Sequence, residues 1–95
     1  MNIGETIRSR RKSLGIKQKD FAVMIGISVN AICQIEIGNT YPNKRTLLVI
    51  AEKLGTSVAH LYFLSIEPSD LPEGKRQAYE IMKPALDSLF SEINQ

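Results

Sequence analysis

KQKDFAVMIGISVNAICQIEI, residues 17–37, is the stretch whose reading decides the fold. Phe21, Ala22 and Ile25 recur at the spacing of one helical face, and Gly26 follows as a residue able to end a helix in the left-handed conformation. Two positions on, Ser28 offers a side-chain oxygen to the unpaired N–H groups of a new first turn. In that second segment Ile32 and Ile35 share one face. Val29, Asn30, Cys33, Gln34 and Ile37 fall on the other at spacings of three and four, a face that an internal core does not account for. Gly38 closes this helix as Gly26 closes the one before it.

Two helices of about ten residues hinged by a short turn containing Gly make a helix-turn-helix, whose second helix can lie in a DNA major groove. Charge agrees with a polyanion partner. The net charge is only +2, yet residues 1–45 hold eight Lys and Arg against three acids, a balance of +5, and the remainder is at −3. At 95 residues, with 43% apolar and 6% aromatic content, the chain suits one small core plus an appendage. No nucleophile stands with a base, no Gly-rich phosphate loop is present, and one Cys with one His is too few for a structural zinc site, so neither an enzyme nor a cofactor is expected. The absence of a signal-like start, and an apolar run at Leu47–Ala51 too short to span a bilayer, predict a soluble cytoplasmic protein with no membrane partner.

Working outward, Ile3, Ile7 and Leu14 are expected to face inward from a first helix over Ile3–Ser13, with Arg8, Arg10, Arg11 and Lys12 crowding the rest. Glycines at 4, 15, 26, 38 and 55 read as punctuation between helices. Past Gly38, the polar loop NTYPNKRT carries a cap candidate at Asn43. Leu47, Leu48, Ile50, Ala51 and Leu54 predict an amphipathic fourth helix, and Ser57 caps a fifth running through Val58, Leu61 and Tyr62 to about Leu64. His60 reads as structural. From Ile66 the composition shifts to a Pro-rich acidic linker, after which Ala78, Ile81, Met82, Ala85, Leu86, Leu89 and Ile93 form an apolar stripe with Phe90 beside it. Pro84 should kink or split that helix. The stripe must pack on its own domain or on a second copy, and self-association is the favoured expectation.

Gln18, Ala22, Gly26, Ser28, Ile32, Glu36 and Gly38 fall where the Cro and phage-repressor type (XRE-like) helix-turn-helix family carries its signature, and the sequence resembles that family from about Ile3 to Phe63. The resemblance implies an all-α, five-helix lambda-repressor-like domain over residues 1–65, with an additional C-terminal helical segment over 66–95. It also implies a homodimeric, sequence-specific regulator, a repressor, bound to double-stranded DNA. Arg11 and Glu36 match a partly buried ion pair of the family, and Gln18 a phosphate contact. Lys17, Lys19, Arg10, Asn39, Thr40, Lys44 and Arg45 are further phosphate candidates. Ser28, Val29, Asn30 and Gln34 match positions facing the bases or the phosphates flanking them, with Cys33 and Ile37 on the same groove face. Two amides and a valine predict a half-site leaning to A·T. Ile37 replaces a residue usually polar or basic, and Cys33 a small polar one. With Val29 they can form an apolar strip, which keeps open a second reading, a protein-interaction module such as an antitoxin or assembly factor. Ala78, Met82, Ala85, Leu86, Leu89 and Ile93 are the dimerisation candidates.

Overall fold

The computed structural model describes residues 1–93, with side chains through residue 90. The fold is all-α: α1 (Ile3–Ser13), α2 (Gln18–Ile25), α3 (Val29–Glu36), α4 (Lys44–Lys53), α5 (Val58–Ser65) and α6 (Arg76–Ile93), with two short 3₁₀ turns before the last helix. It is a five-helix, lambda-repressor-like helix-turn-helix domain with an extra C-terminal helix.

Most boundaries follow from local chemistry. Ser28, Asn43 and Ser57 each accept from the backbone N–H three residues on, at 3.0, 2.8 and 3.0 Å, and so cap α3, α4 and α5. Gly26 takes φ 86°, and its N–H returns to Ala22 and Val23, which reverses the chain between α2 and α3. The core that forms behind this turn joins Ile7, Phe21, Ile32, Ile50, Leu54 and Leu61, all fully buried. Every one of the first five helices contributes to it, so α3 is held by tertiary packing, as an eight-residue helix must be.

Several inward expectations are corrected. Leu14 is exposed. It is the C-cap of α1, where the chain turns away, and the inward stripe instead continues from Ile3 and Ile7 to Arg11, one turn further each time. Leu48 is exposed beside buried Leu47 because α4 buries only the 47, 50, 51 and 54 face. Gly4 does not punctuate anything. It lies buried within α1, where a Cβ would collide with the Ile35 carbonyl oxygen and stand 3.0 Å from that of Glu36. The first turn of α1 thus rests directly on the last turn of α3. Gly4→Ala is expected to destabilise by about 1–3 kcal/mol through overpacking, read as a lower denaturation midpoint. At exposed Gly74, where a Cβ meets nothing, the same change should be nearly silent.

α6 is not split at Pro84. The helix runs through it, and both Pro84 and Glu80, whose carbonyl loses the proline's missing donor, are exposed to water. One face of α6 folds back onto α5. His60 and Phe90 stack at 4.8 Å and 8°, and Phe63 meets Phe90 at 5.4 Å and Tyr79 at 6.2 Å. On that face Tyr79 and Phe90 are half-buried against α5, with Leu86 half-buried beside them. The opposite face is not covered.

His60 also hydrogen-bonds the Thr56 hydroxyl through Nδ1 at 2.7 Å. Burial, helped by the Arg10 charge and opposed by Asp87, lowers its pKa below the ordinary 6.5. A folded pKa below the unfolded one means that the unfolded chain binds the proton more readily. Stability contributed here is complete above about pH 6.5 and is lost as pH falls through the lowered value. Thermal melts across this range should show the decline, and His60→Phe, which retains an aromatic stack, should flatten it.

Candidate nucleic-acid interface

α3 has two unlike sides. Ile32, Ile35 and Glu36 are buried against α1 and α2. Ser28, Val29, Asn30 and Ile37 are exposed, and Cys33 and Gln34 are half-buried beside them. Val29 retains 43% and Ile37 59% of its accessible surface, so the apolar strip anticipated from the sequence is present on the outer side.

The inner side is fixed by a buried charge cluster. Arg11 donates from Nε to Glu36 Oε2 at 2.7 Å and from Nη2 to Oε1 at 3.0 Å, with 7% and 1% of the two side chains exposed. Arg11 Nη1 donates to the Ile16 carbonyl at 2.7 Å, closing the loop between α1 and α2. Gln18, expected on a phosphate, donates from Nε2 to Glu36 Oε1 at 3.1 Å. One of its amide hydrogens is therefore structural, and the other is left for an outside acceptor. Each carboxylate oxygen of Glu36 is satisfied, as a buried anion requires.

Around α3 the cations divide. Lys17 and Lys19 stand at the start of α2, Lys44 and Arg45 at the start of α4, and all four are exposed. Helix N-termini carry partial positive charge, so four cations there are locally unfavourable. Among the described residues none of the four has an acidic partner within 4.0 Å. An external anion would relieve the arrangement. Arg10 stands apart from them, half-buried and with one nitrogen engaged inside the domain. Its Nε donates to the Leu54 carbonyl at 3.2 Å, at the C-terminal end of α4.

The loop after α3 is anchored at both ends. Asn39 and Thr40 are exposed, but their main-chain N–H groups donate to the Gln34 carbonyl, and Asn39 Nδ2 donates to Gln34 Oε1 at 2.9 Å. Tyr41 and Tyr62 share a hydroxyl–hydroxyl hydrogen bond that ties the loop to α5 and, with burial, pushes the Tyr41 pKa up to about 12. A groove of about 300 Å³ runs between α3 and the start of α4, lined by Ala31, Gln34, Thr40, Asn43 and Thr46 among others. Periodicity does not reveal the side-chain links of Asn39 and Gln18. The one available signal is an Asn directly after a helix-ending Gly.

Among the described residues no group of three or more His, Cys, Asp or Glu is placed to hold a metal, and no single helix is long and apolar enough to cross a membrane.

The geometry has known counterparts. Repressor protein C2 of Salmonella phage P22 is 42% identical over 59 residues, which is 62% of this chain but 27% of that protein, so the chain spans about a quarter of its curated relative's length. The solution structure of the DNA-binding domain of the P22 C2 repressor superposes with a TM-score of 0.63 at 40% identity, covering 65% of this chain and 82% of that one. The crystal structure of the P22 c2 repressor in complex with a synthetic operator gives 0.61 at 41% identity, covering 64% and 92%. ClgR, the clp gene regulator of Corynebacterium glutamicum, matches over 99% of this chain and 93% of its own with a TM-score of 0.66, at 19% identity, a likeness of fold that includes the C-terminal helix. The family profile described as helix-turn-helix matches residues 7–61, more than half of the sequence, and the chain belongs to that family in its Cro and phage-repressor branch.

Proposed function

We propose that this chain is a sequence-specific, double-stranded DNA-binding transcriptional repressor that acts as a homodimer with α3 in the major groove. The observation that carries the reading is the outer side of α3. Ser28, Val29 and Asn30 are exposed and Gln34 half-exposed, on a helix whose other side is locked by Arg11 and Glu36. Base edges are read by such side chains, whereas phosphates are met by the flanking cations Lys17, Lys19, Lys44 and Arg45, with Gln18 and Thr40 between them. The amides of Asn30 and Gln34 suit adenine and Val29 a thymine methyl, giving an A·T-leaning half-site. Likeness to a phage repressor supports the regulatory role.

The uncovered face of α6 supports the dimer. Ala78 and Ala85 are exposed, and Ile81, Met82 and Leu89 retain 72%, 56% and 49% of their surface along one line. Leu86 is half-buried on the other side, and the side chain of Ile93 lies outside the described residues. A dimer that reads paired half-sites needs its two α3 helices about 34 Å apart, one turn of duplex. Met82→Glu is expected to convert a dimer into a monomer in sedimentation experiments and to abolish preference for paired half-sites. A wild-type monomer at micromolar concentration would remove the dimer from the reading.

Selection from random duplex DNA tests the central statement. An enriched motif supports it, and binding no tighter than that of a nonspecific basic peptide refutes it. A second reading, a protein-interaction module, is favoured by the exposed Val29 and Ile37, since an apolar strip suits a protein partner. Copurification of a stoichiometric partner lost in Ile37→Lys, with no DNA motif, would favour it.

A further inference from the structure

Asn39 lies just outside α3, and its place is fixed by the backbone. Gly38, at φ 86°, turns the chain back along the helix it has left. The main-chain N–H groups of Asn39 and Thr40 then converge on the Gln34 carbonyl, at 3.0 and 3.2 Å. This turn brings two side-chain amides together, with Asn39 Nδ2 donating to Gln34 Oε1 at 2.9 Å. Asn39 itself is exposed and uncharged.

A glutamine amide that is free to turn over exchanges its donor for its acceptor, and so suits several base edges. Adenine presents a donor at N6 and an acceptor at N7, whereas guanine presents acceptors at both O6 and N7. With Oε1 holding the Asn39 N–H, Gln34 retains both Nε2 hydrogens and a second lone pair on Oε1. Those are what the adenine edge requires. At guanine the held Oε1 would meet O6, acceptor against acceptor. Turning Gln34 over moves the mismatch to N7, where Oε1 again meets an acceptor, and also sets Nε2 against Asn39 Nδ2, donor against donor, unless both amides turn together.

We infer that Asn39 is a specificity-positioning residue: it restrains the Gln34 amide so that Gln34 selects adenine over guanine more sharply than an unrestrained glutamine does. The inference rests on the base-reading role proposed above and gives Asn39 a task other than phosphate contact. The restraint is built within α3 and its own C-terminal turn, so it exists before DNA arrives and need not be formed on binding.

Selection from random duplexes with wild type, Asn39→Ala, Gln34→Ala and the double variant reads the effect directly. Asn39→Ala is expected to lower the adenine-over-guanine preference about three- to tenfold at the same base step that Gln34→Ala alters, as loss of one supporting hydrogen bond would. Other steps and the salt dependence should stay as in wild type, and the double variant should be no worse than Gln34→Ala. Asn39→Asp, which can only accept, should draw Gln34 Nε2 inward and turn the preference at that step away from adenine. Uniform weakening of all sequences by Asn39→Ala, with a shallower salt slope, would show a phosphate contact and overturn the inference. So would an unchanged Gln34 step. A wild type that enriches no motif refutes base reading itself, and the inference with it. Side-chain amide relaxation in the free protein separates the two failures: Gln34 should be more mobile in Asn39→Ala, and equal order in both proteins overturns the restraint whatever the DNA result.

Discussion

Arg11→Met is expected to lower the unfolding free energy by about 3–5 kcal/mol, a large part of what a domain of this size possesses. The guanidinium is buried and makes three hydrogen bonds, two to Glu36 and one to the Ile16 carbonyl. Its removal strands the Glu36 carboxylate, 1% exposed, with Gln18 Nε2 as its remaining donor from this cluster. The cost is that of an uncompensated buried charge, not the worth of one ion pair. The double variant Arg11→Met/Glu36→Leu should therefore recover most of the loss. It would fall short by about 1 kcal/mol because the Ile16 carbonyl still lacks its donor. Urea denaturation of the four proteins of this cycle measures both effects. If the single and double variants were equally unstable, the cluster would be acting through packing alone. Lysine at position 11 should also fail, since an ammonium cannot bridge both carboxylate oxygens and the carbonyl in the fixed fork that a guanidinium presents.

That cluster shows what was legible in the sequence and what was not. Caps at Ser28, Asn43 and Ser57 and the turn at Gly26 depend on atoms three or four residues away, so they can be read locally, and the structure places them as expected. The pairing of Arg11 with Glu36 spans 25 residues, and family resemblance implies it where periodicity does not. Gly4 is not legible locally, because a glycine's reason can lie in another helix, here the carbonyls at the end of α3. Leu48 shows that an apolar residue next to a buried one lies a hundred degrees around the helix and need not share its fate, and Leu14 that the helix turn can end before an apolar residue reaches the core. The two sides of α6 could not be assigned in advance. Both are apolar, and the choice is made by where His60 and Phe63 present aromatic surface on α5.

Of the candidate interface, the outward side of α3 is legible from helical spacing, because one core face leaves one outer face. Roles on that face were harder to assign. Gln18 carries a structural bond, Arg10 holds the Leu54 carbonyl at the end of α4, and Asn39 holds another side chain. Polar side chains have several competing partners within reach, and only three-dimensional placement decides among them. The same limit explains why the exposed strip of Val29 and Ile37 supports both thymine methyls and a protein surface as partners.

Neutralising Lys17, Lys19, Lys44 and Arg45 together, each to Gln, is expected to weaken DNA binding about a thousandfold at roughly 0.1 M salt and to reduce the slope of log affinity against log salt by about 3 to 4. Each cation that meets a phosphate releases about 0.9 of a counterion, so the four act almost additively and without regard to sequence. Fluorescence anisotropy titrations of a selected and a scrambled duplex across a salt series should show both curves shifting together, leaving their ratio intact. Unfolding cannot mimic this. All four cations sit at the N-termini of α2 and α4, against the helix dipole and, among the described residues, without an acidic partner within 4.0 Å. Removing them should hold or slightly raise the melting temperature. Arg10→Gln is the internal control. Its guanidinium bonds the Leu54 carbonyl at the end of α4, so the variant should lose a little stability and leave the salt slope untouched. An unaltered slope in the quadruple variant, or a slope change of the same size per charge in Arg10→Gln, would move the DNA surface away from the α3 face and require the docking geometry to be rebuilt around another side of the molecule.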